Sequence, residues 1–180
     1  MLRRPYSTLY LDVLMNLVAL LFLLVNPIPR EADAKPRAEY TLTMLWTGSE
    51  QRLDIDLYVR LPNGKVVWYS AKDQGLVFID RDHLGRIEDG PIRREDVQWV
   101  QPVIPGSYFV SVNNYRGVAV GETILELRDA NGKLLWSHVM PTPPDGTEIP
   151  IVEFVFGQDG KLFEARPSTT SVRQLRNSMS

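Results

Sequence analysis

The sequence predicts a single N-terminal transmembrane helix followed by an all-β antiparallel sandwich domain. Three observations carry this. An apolar run occupies residues 9–26, close behind the N-terminus. From Tyr40 onward, apolar and polar residues alternate in short stretches, the period-two pattern of half-buried strands. Asn63-Gly64, Asn131-Gly132 and Asp159-Gly160 fall between such stretches, and Asx-Gly pairs close hairpins because both residues tolerate positive φ.

The totals agree with one domain and an appendage. The chain has 180 residues, of which 44% are hydrophobic, enough for a real core. Its formal net charge of −2 argues against a nucleic-acid binder, which carries a basic patch or stripe. Cysteine is absent, which removes disulfides, thiolate metal sites and thiol nucleophiles together. Two histidines, His83 and His138, are too few for a histidine-rich metal site.

Residues 1–8 read as a cytoplasmic stub carrying Arg3 and Arg4. Residues 9–26 read as the transmembrane helix, at the short end of the roughly 17–25 residues a span needs. Pro27 and Pro29 stop it, because proline lacks the amide donor and disfavours helix in the residue before it. Arginine and lysine are nearly balanced on the two flanks, so the positive-inside rule decides little. The small stub and the β-rich cargo favour an N-terminus inside and the domain outside.

Asp12 stands within the apolar run, and Asn16 follows one helical turn later on the same side as Ala19 and Leu23. A charged aspartate at mid-membrane costs about 2.5–3.5 kcal/mol. Burial raises a carboxyl pKa, so such a group can rest neutral and still titrate. Asp12 is therefore read as a proton-carrying group and Asn16 as pore-facing. Two alternatives stay open. Asp12 sits in the headgroup region and caps the helix start, or the run is the apolar core of a secretion signal cleaved at Ala32-Asp33-Ala34.

The stretch from Leu11 to Pro27 resembles the single transmembrane helix of the ExbD/TolR family and, more distantly, MotB. The shared features are a hydrophobic residue, Asp12, Val13, a long apolar run and Pro27, with Pro5 matching a proline before the aspartate. The resemblance covers residues 5–27. It implies that Asp12 carries protons in an ion-driven motor, with two copies of the helix inside a ring of a polytopic ExbB/TolQ/MotA-like partner. It also implies a bacterial inner-membrane protein with its C-terminal domain in the periplasm. The outer domains of that family are α/β, and the pattern after Tyr40 is not. The resemblance therefore extends to Asp12 and leaves the envelope target of the motor unassigned.

Residues 27–39 are polar and proline-rich, and read as a linker. Residues 40–166 hold the sandwich, with strands expected at 40–46, 53–61, 66–69, 76–79, 108–113, 118–128, 133–140, 149–156 and 161–165. Residues 80–98 are charged and read as irregular. Residues 167–180, rich in Ser, Thr, Arg and Gln, read as a disordered tail.

Leu53-Asp54-Ile55-Asp56-Leu57-Tyr58-Val59-Arg60-Leu61-Pro62-Asn63-Gly64 resembles a strand and turn of secreted β-sandwich modules, including pre-peptidase-type domains of bacterial exoenzymes. Pro105-Gly106-Ser107-Tyr108-Phe109-Val110-Ser111-Val112 fits the same modules. Some of those modules bind calcium. Asp54 and Asp56 share one face of a strand and are candidate metal ligands for calcium, which Asp80 and Asp82 could approach. The other reading is that these acids are the solvated face of an amphipathic strand.

No serine stands in a nucleophile elbow, and an enzymatic reading finds no constellation to support it. Trp46, Trp68, Trp99 and Trp136 offer a sugar-stacking platform, although aromatic residues on alternating strands more often fill a core. No cofactor is called for beyond the calcium candidate. Two functions follow: a subunit of a proton-driven membrane motor, or an anchored or secreted β-sandwich module that binds a protein, a glycan or a calcium-dependent ligand.

Overall fold

The computed structural model describes residues 6–25, 37–47, 53–82, 92–118 and 120–177. The chain divides into two compact units, Met1–Lys35 and Pro36–Ser180, and each is described on its own.

The first unit contains helix α1, Tyr6–Val25. It starts three residues before the span expected at 9–26. Every side chain described in it, Tyr10 to Phe22, is exposed. Among the described residues no helix is long and apolar enough to cross a membrane. Among the described residues the expectation at 9–26 is thus met as a helix and not as a membrane span. The linker prolines, Ala32-Asp33-Ala34 and most of the stub lie outside the described residues.

Among the described residues the second unit holds ten strands: β1 Ala38–Thr47, β2 Asp54–Arg60, β3 Val66–Val67, β4 Val77–Arg81, β5 Ile92–Val100, β6 Gly106–Arg116, β7 Glu122–Asp129, β8 Leu134–Pro141, β9 Glu148–Phe156 and β10 Leu162–Pro167. A short helix, α2, follows at Val172–Asn177. All pairings are antiparallel. One sheet runs β4-β5-β1-β7-β8 and the other β10-β9-β6-β2-β3.

Alternation places the core. Tyr40, Leu42, Met44 and Trp46 of β1 are buried, as are Ile55, Leu57 and Val59 of β2 and Val110 and Val112 of β6. These side chains join Trp99, Leu125, Leu127, Phe154 and Phe156 in one cluster drawn from both sheets, the arrangement of two sheets packed face to face. Its aromatic end is closely engaged, with the Tyr108 and Phe156 rings 5.3 Å apart and the Tyr40 and Phe156 rings 5.0 Å apart. Trp46 and Trp99 are core residues, which removes them from a sugar-stacking platform.

Two expectations are corrected. The charged stretch is not irregular throughout: β5 is an inner strand of its sheet, between β4 and β1. Its inward residues are Arg93, Glu95, Val97 and Trp99, all buried. The tail is not disordered throughout either. Val172 of α2 is fully buried with Tyr58 and Val66, beside Trp68 and Phe109.

Candidate functional site

The site is set by a gap in one sheet. β3 is two residues long and pairs only with Val59 and Arg60 of β2. Toward Asp54, that side of β2 has no neighbouring strand among the described residues. An acid from the opposite sheet occupies the position. Both carboxylate oxygens of Glu95 accept from the Leu57 main-chain nitrogen at 3.3 Å. Arg93, one inward position earlier on β5, donates to the Leu53 carbonyl. The charged half of the β5 inner face is thereby bound to the opposite sheet, and its apolar half, Val97 and Trp99, fills the core.

Asp56 and Asp82 complete the cluster. One ligand oxygen from each of Asp56, Asp82 and Glu95 lies within 4.8 Å of the other two. Asp56 is 4% exposed and Glu95 is fully buried. Asp56 Oδ2 has no hydrogen-bond partner among the described residues. The side chain of Asn113, its cross-strand partner on β6, hydrogen-bonds to Asp56. Asp82 pairs with Lys72. Asp54, Asp56, Asp82, Tyr69 and Tyr115 line a cavity of about 120 Å³. The two tyrosine rings, 5.8 Å apart and both exposed, stand at it.

Burial dominates the electrostatics. It pushes the Asp56 carboxyl up to about 7, helped by the charges of Asp54 and Asp82 and opposed by the Asn113 hydrogen bond and Lys72. Burial likewise holds Glu95 well above the usual carboxylate range, with Asp56 and Asp82 adding to it and the Leu57 amide opposing. Asp54 is raised by burial and by Asp82, against Arg93 and Arg116. Asp96 shows the contrast. It is equally buried, at 4% exposed, yet its Oδ1 accepts from Thr43 Oγ1 at 2.7 Å and Arg94 Nε at 2.8 Å. Asp96 is a satisfied structural acid, whereas Asp56 keeps one buried oxygen uncommitted.

The candidate ligands named from sequence are thus partly regrouped. Asp54 and Asp56 line one cavity, but Asp56 is not on a solvated face. Asp82 joins it. Asp80 does not: it is exposed and accepts from Gln98. Glu95 was missed, because it lies in the stretch read as irregular. The signal was present in the alternation Arg93, Glu95, Val97, Trp99, but two charges at its head obscured it. His83 lies outside the described residues. His138 stacks on Trp136, away from this cluster, with ring centroids 6.0 Å apart.

The helix holds the other candidate. Asp12 lies in the second turn of α1, and no acidic residue stands in the first turn. A capping role at the helix start is therefore lost. Asn16 Nδ2 donates to the Asp12 main-chain carbonyl at 2.8 Å. Both side chains are exposed.

No protein-family model matches the chain, and no curated protein or solved structure matches it.

Proposed function

We propose that the chain is the ion-carrying subunit of a proton-driven motor of the bacterial inner membrane, of the ExbD/TolR kind, with a β-sandwich as its outer module. The observation that carries the reading is the placement of Asp12. It is the only charged residue of the continuous helix Tyr6–Val25, one turn inside its start, with Asn16 on the same face. An acid within a membrane helix is by default a functional group. Its driving force is about 2.3 kcal/mol per charge per 100 mV. In this reading the helix pairs with a second copy inside a ring of a polytopic partner, and Asn16 faces the proton path.

Asp12→Asn tests it, because the change keeps shape and removes titration. The full chain is purified in detergent with its polytopic partner and reconstituted in vesicles holding a pH-sensitive dye. Proton flux in the wild type, lost in Asp12→Asn while the complex still assembles, is the expected result. Equal flux in both, or a chain that purifies with no polytopic partner, overturns the reading.

A second reading, a tethered binding module with no motor role, is favoured by Tyr69 and Tyr115. Both are exposed beside the carboxylate cavity, where aromatic faces and acids together suit a ligand. Under it, Asp12→Asn leaves ligand binding and cellular function unchanged.

A further inference from the structure

We propose that Asp56, Asp82 and Glu95 bind a divalent cation of the calcium class at the gap beside β2. The inference concerns the sandwich alone and stands whichever reading of the helix holds.

The geometry comes first. Oxygens bound to one calcium ion at about 2.3–2.6 Å lie no more than about 5 Å apart. The three ligand oxygens here fall within 4.8 Å of one another. They come from three separate places in the chain: β2, the residue after β4, and β5. A chance surface cluster does not bring together one fully buried acid and one 4% exposed.

The second observation is the unused oxygen. Asp56 Oδ2 is buried, has no hydrogen-bond partner among the described residues, and belongs to a side chain that lines the cavity. A buried carboxylate oxygen without a partner carries its full desolvation cost, and a bound cation removes that cost. The cavity, about 120 Å³, has space for an ion and a few waters at about 30 Å³ each.

The donor set selects the metal. Every donor is a carboxylate oxygen, which suits hard cations over zinc or copper. Magnesium parts from its waters reluctantly and keeps several of them. A ligand set that includes the fully buried Glu95 therefore favours calcium. Lys72 is the internal competitor. Its ammonium pairs with Asp82, and its side chain is 48% exposed, so it can turn to solvent when the ion enters.

The test is calorimetric titration of the full chain in detergent, stripped with EDTA, with calcium chloride and separately with magnesium chloride. One calcium per chain is expected, with magnesium at least tenfold weaker. Asp82→Asn weakens calcium at least tenfold, and Lys72→Met tightens it, with unchanged far-ultraviolet circular dichroism in both. Lys72→Met guards the test against a fold-breaking variant, since it removes only a half-exposed side chain. No calcium heat in the wild type and in Lys72→Met at millimolar calcium overturns the proposal. So does equal affinity for magnesium, or an Asp82→Asn protein that binds calcium as the wild type does.

Discussion

Glu95 reaches from one sheet to the other and sets both carboxylate oxygens 3.3 Å from the main-chain nitrogen of Leu57. A side chain thus takes up an amide on the stretch of β2 that β3 leaves unpaired. Removing it leaves that amide buried with no acceptor, which costs about 1–3 kcal/mol. Glu95→Ala should lose about that much stability in chemical denaturation, and Glu95→Gln should lose far less, because an amide oxygen can still accept. Equal losses in the two variants would show that shape, not the hydrogen bond, is what Glu95 supplies.

Asp56 makes stability depend on pH, and the sign follows from its shift. Its folded pKa, about 7, lies above the usual aspartate value. Between roughly pH 4 and 7 the folded state therefore holds more protons than the unfolded one. Stability without added cation is fully present below pH 4 on this account and is lost as pH rises through 7. A rise from the ordinary aspartate value to about 7 is worth on the order of 4 kcal/mol at most. Denaturation midpoints in EDTA should fall from pH 5 to pH 8 in the wild type and stay flatter in Asp56→Asn. A wild-type midpoint that rises over this range would refute the assignment.

Much of the sandwich was legible because its signals are local. Tyr40, Leu42, Met44 and Trp46 alternate within seven residues, and Asn131-Gly132 marks its hairpin within two. β5 was not, because its inward face begins with Arg93 and Glu95, charges that a period-two reading assigns to water. What reverses that assignment lies 38 and 40 positions away, at Leu57 and Leu53. Asp56 was legible as a candidate ligand but not as a buried one, since its partners Asp82 and Glu95 meet it only through the fold. On the helix, Asp12 and its face with Asn16 could be read directly, because i and i+4 fix their relation.

Gly106 opens β6 in a conformation closed to other residues. Its φ is +124°, and a Cβ there would lie 3.0 Å from Pro62 Cβ. The turn after β2 and the start of β6 therefore approach at a distance only glycine allows. Gly106→Ala combines backbone strain with that contact and should cost about 1–3 kcal/mol, read as a lower thermal midpoint. Pro62→Gly in the same chain removes the Cβ that the new methyl meets but not the strain, so it should recover only part of the loss.

The C-terminal segment is held by one acid on β9. Glu148 Oε1 accepts from the main-chain nitrogens of Val172 at 2.8 Å and Arg173 at 3.1 Å, and Oε2 accepts from Ser171 Oγ at 2.6 Å. Ser171 Oγ in turn accepts from the Gln174 nitrogen at 3.1 Å, so the first turn of α2 has its amides satisfied by Glu148 and its own cap. Val172 then fills the space against Tyr58 and Val66. A six-residue helix does not persist in water by its own propensity, so this contact and this acid are what order it. Val172→Ala removes two methyl groups from a fully buried site and should cost about 1–2 kcal/mol. Glu148→Ala should raise amide exchange at Val172 and Arg173 ahead of any change in the core strands. Exchange that rises uniformly across β6 and β9 instead would mean that Glu148 supports the sheet and not the helix.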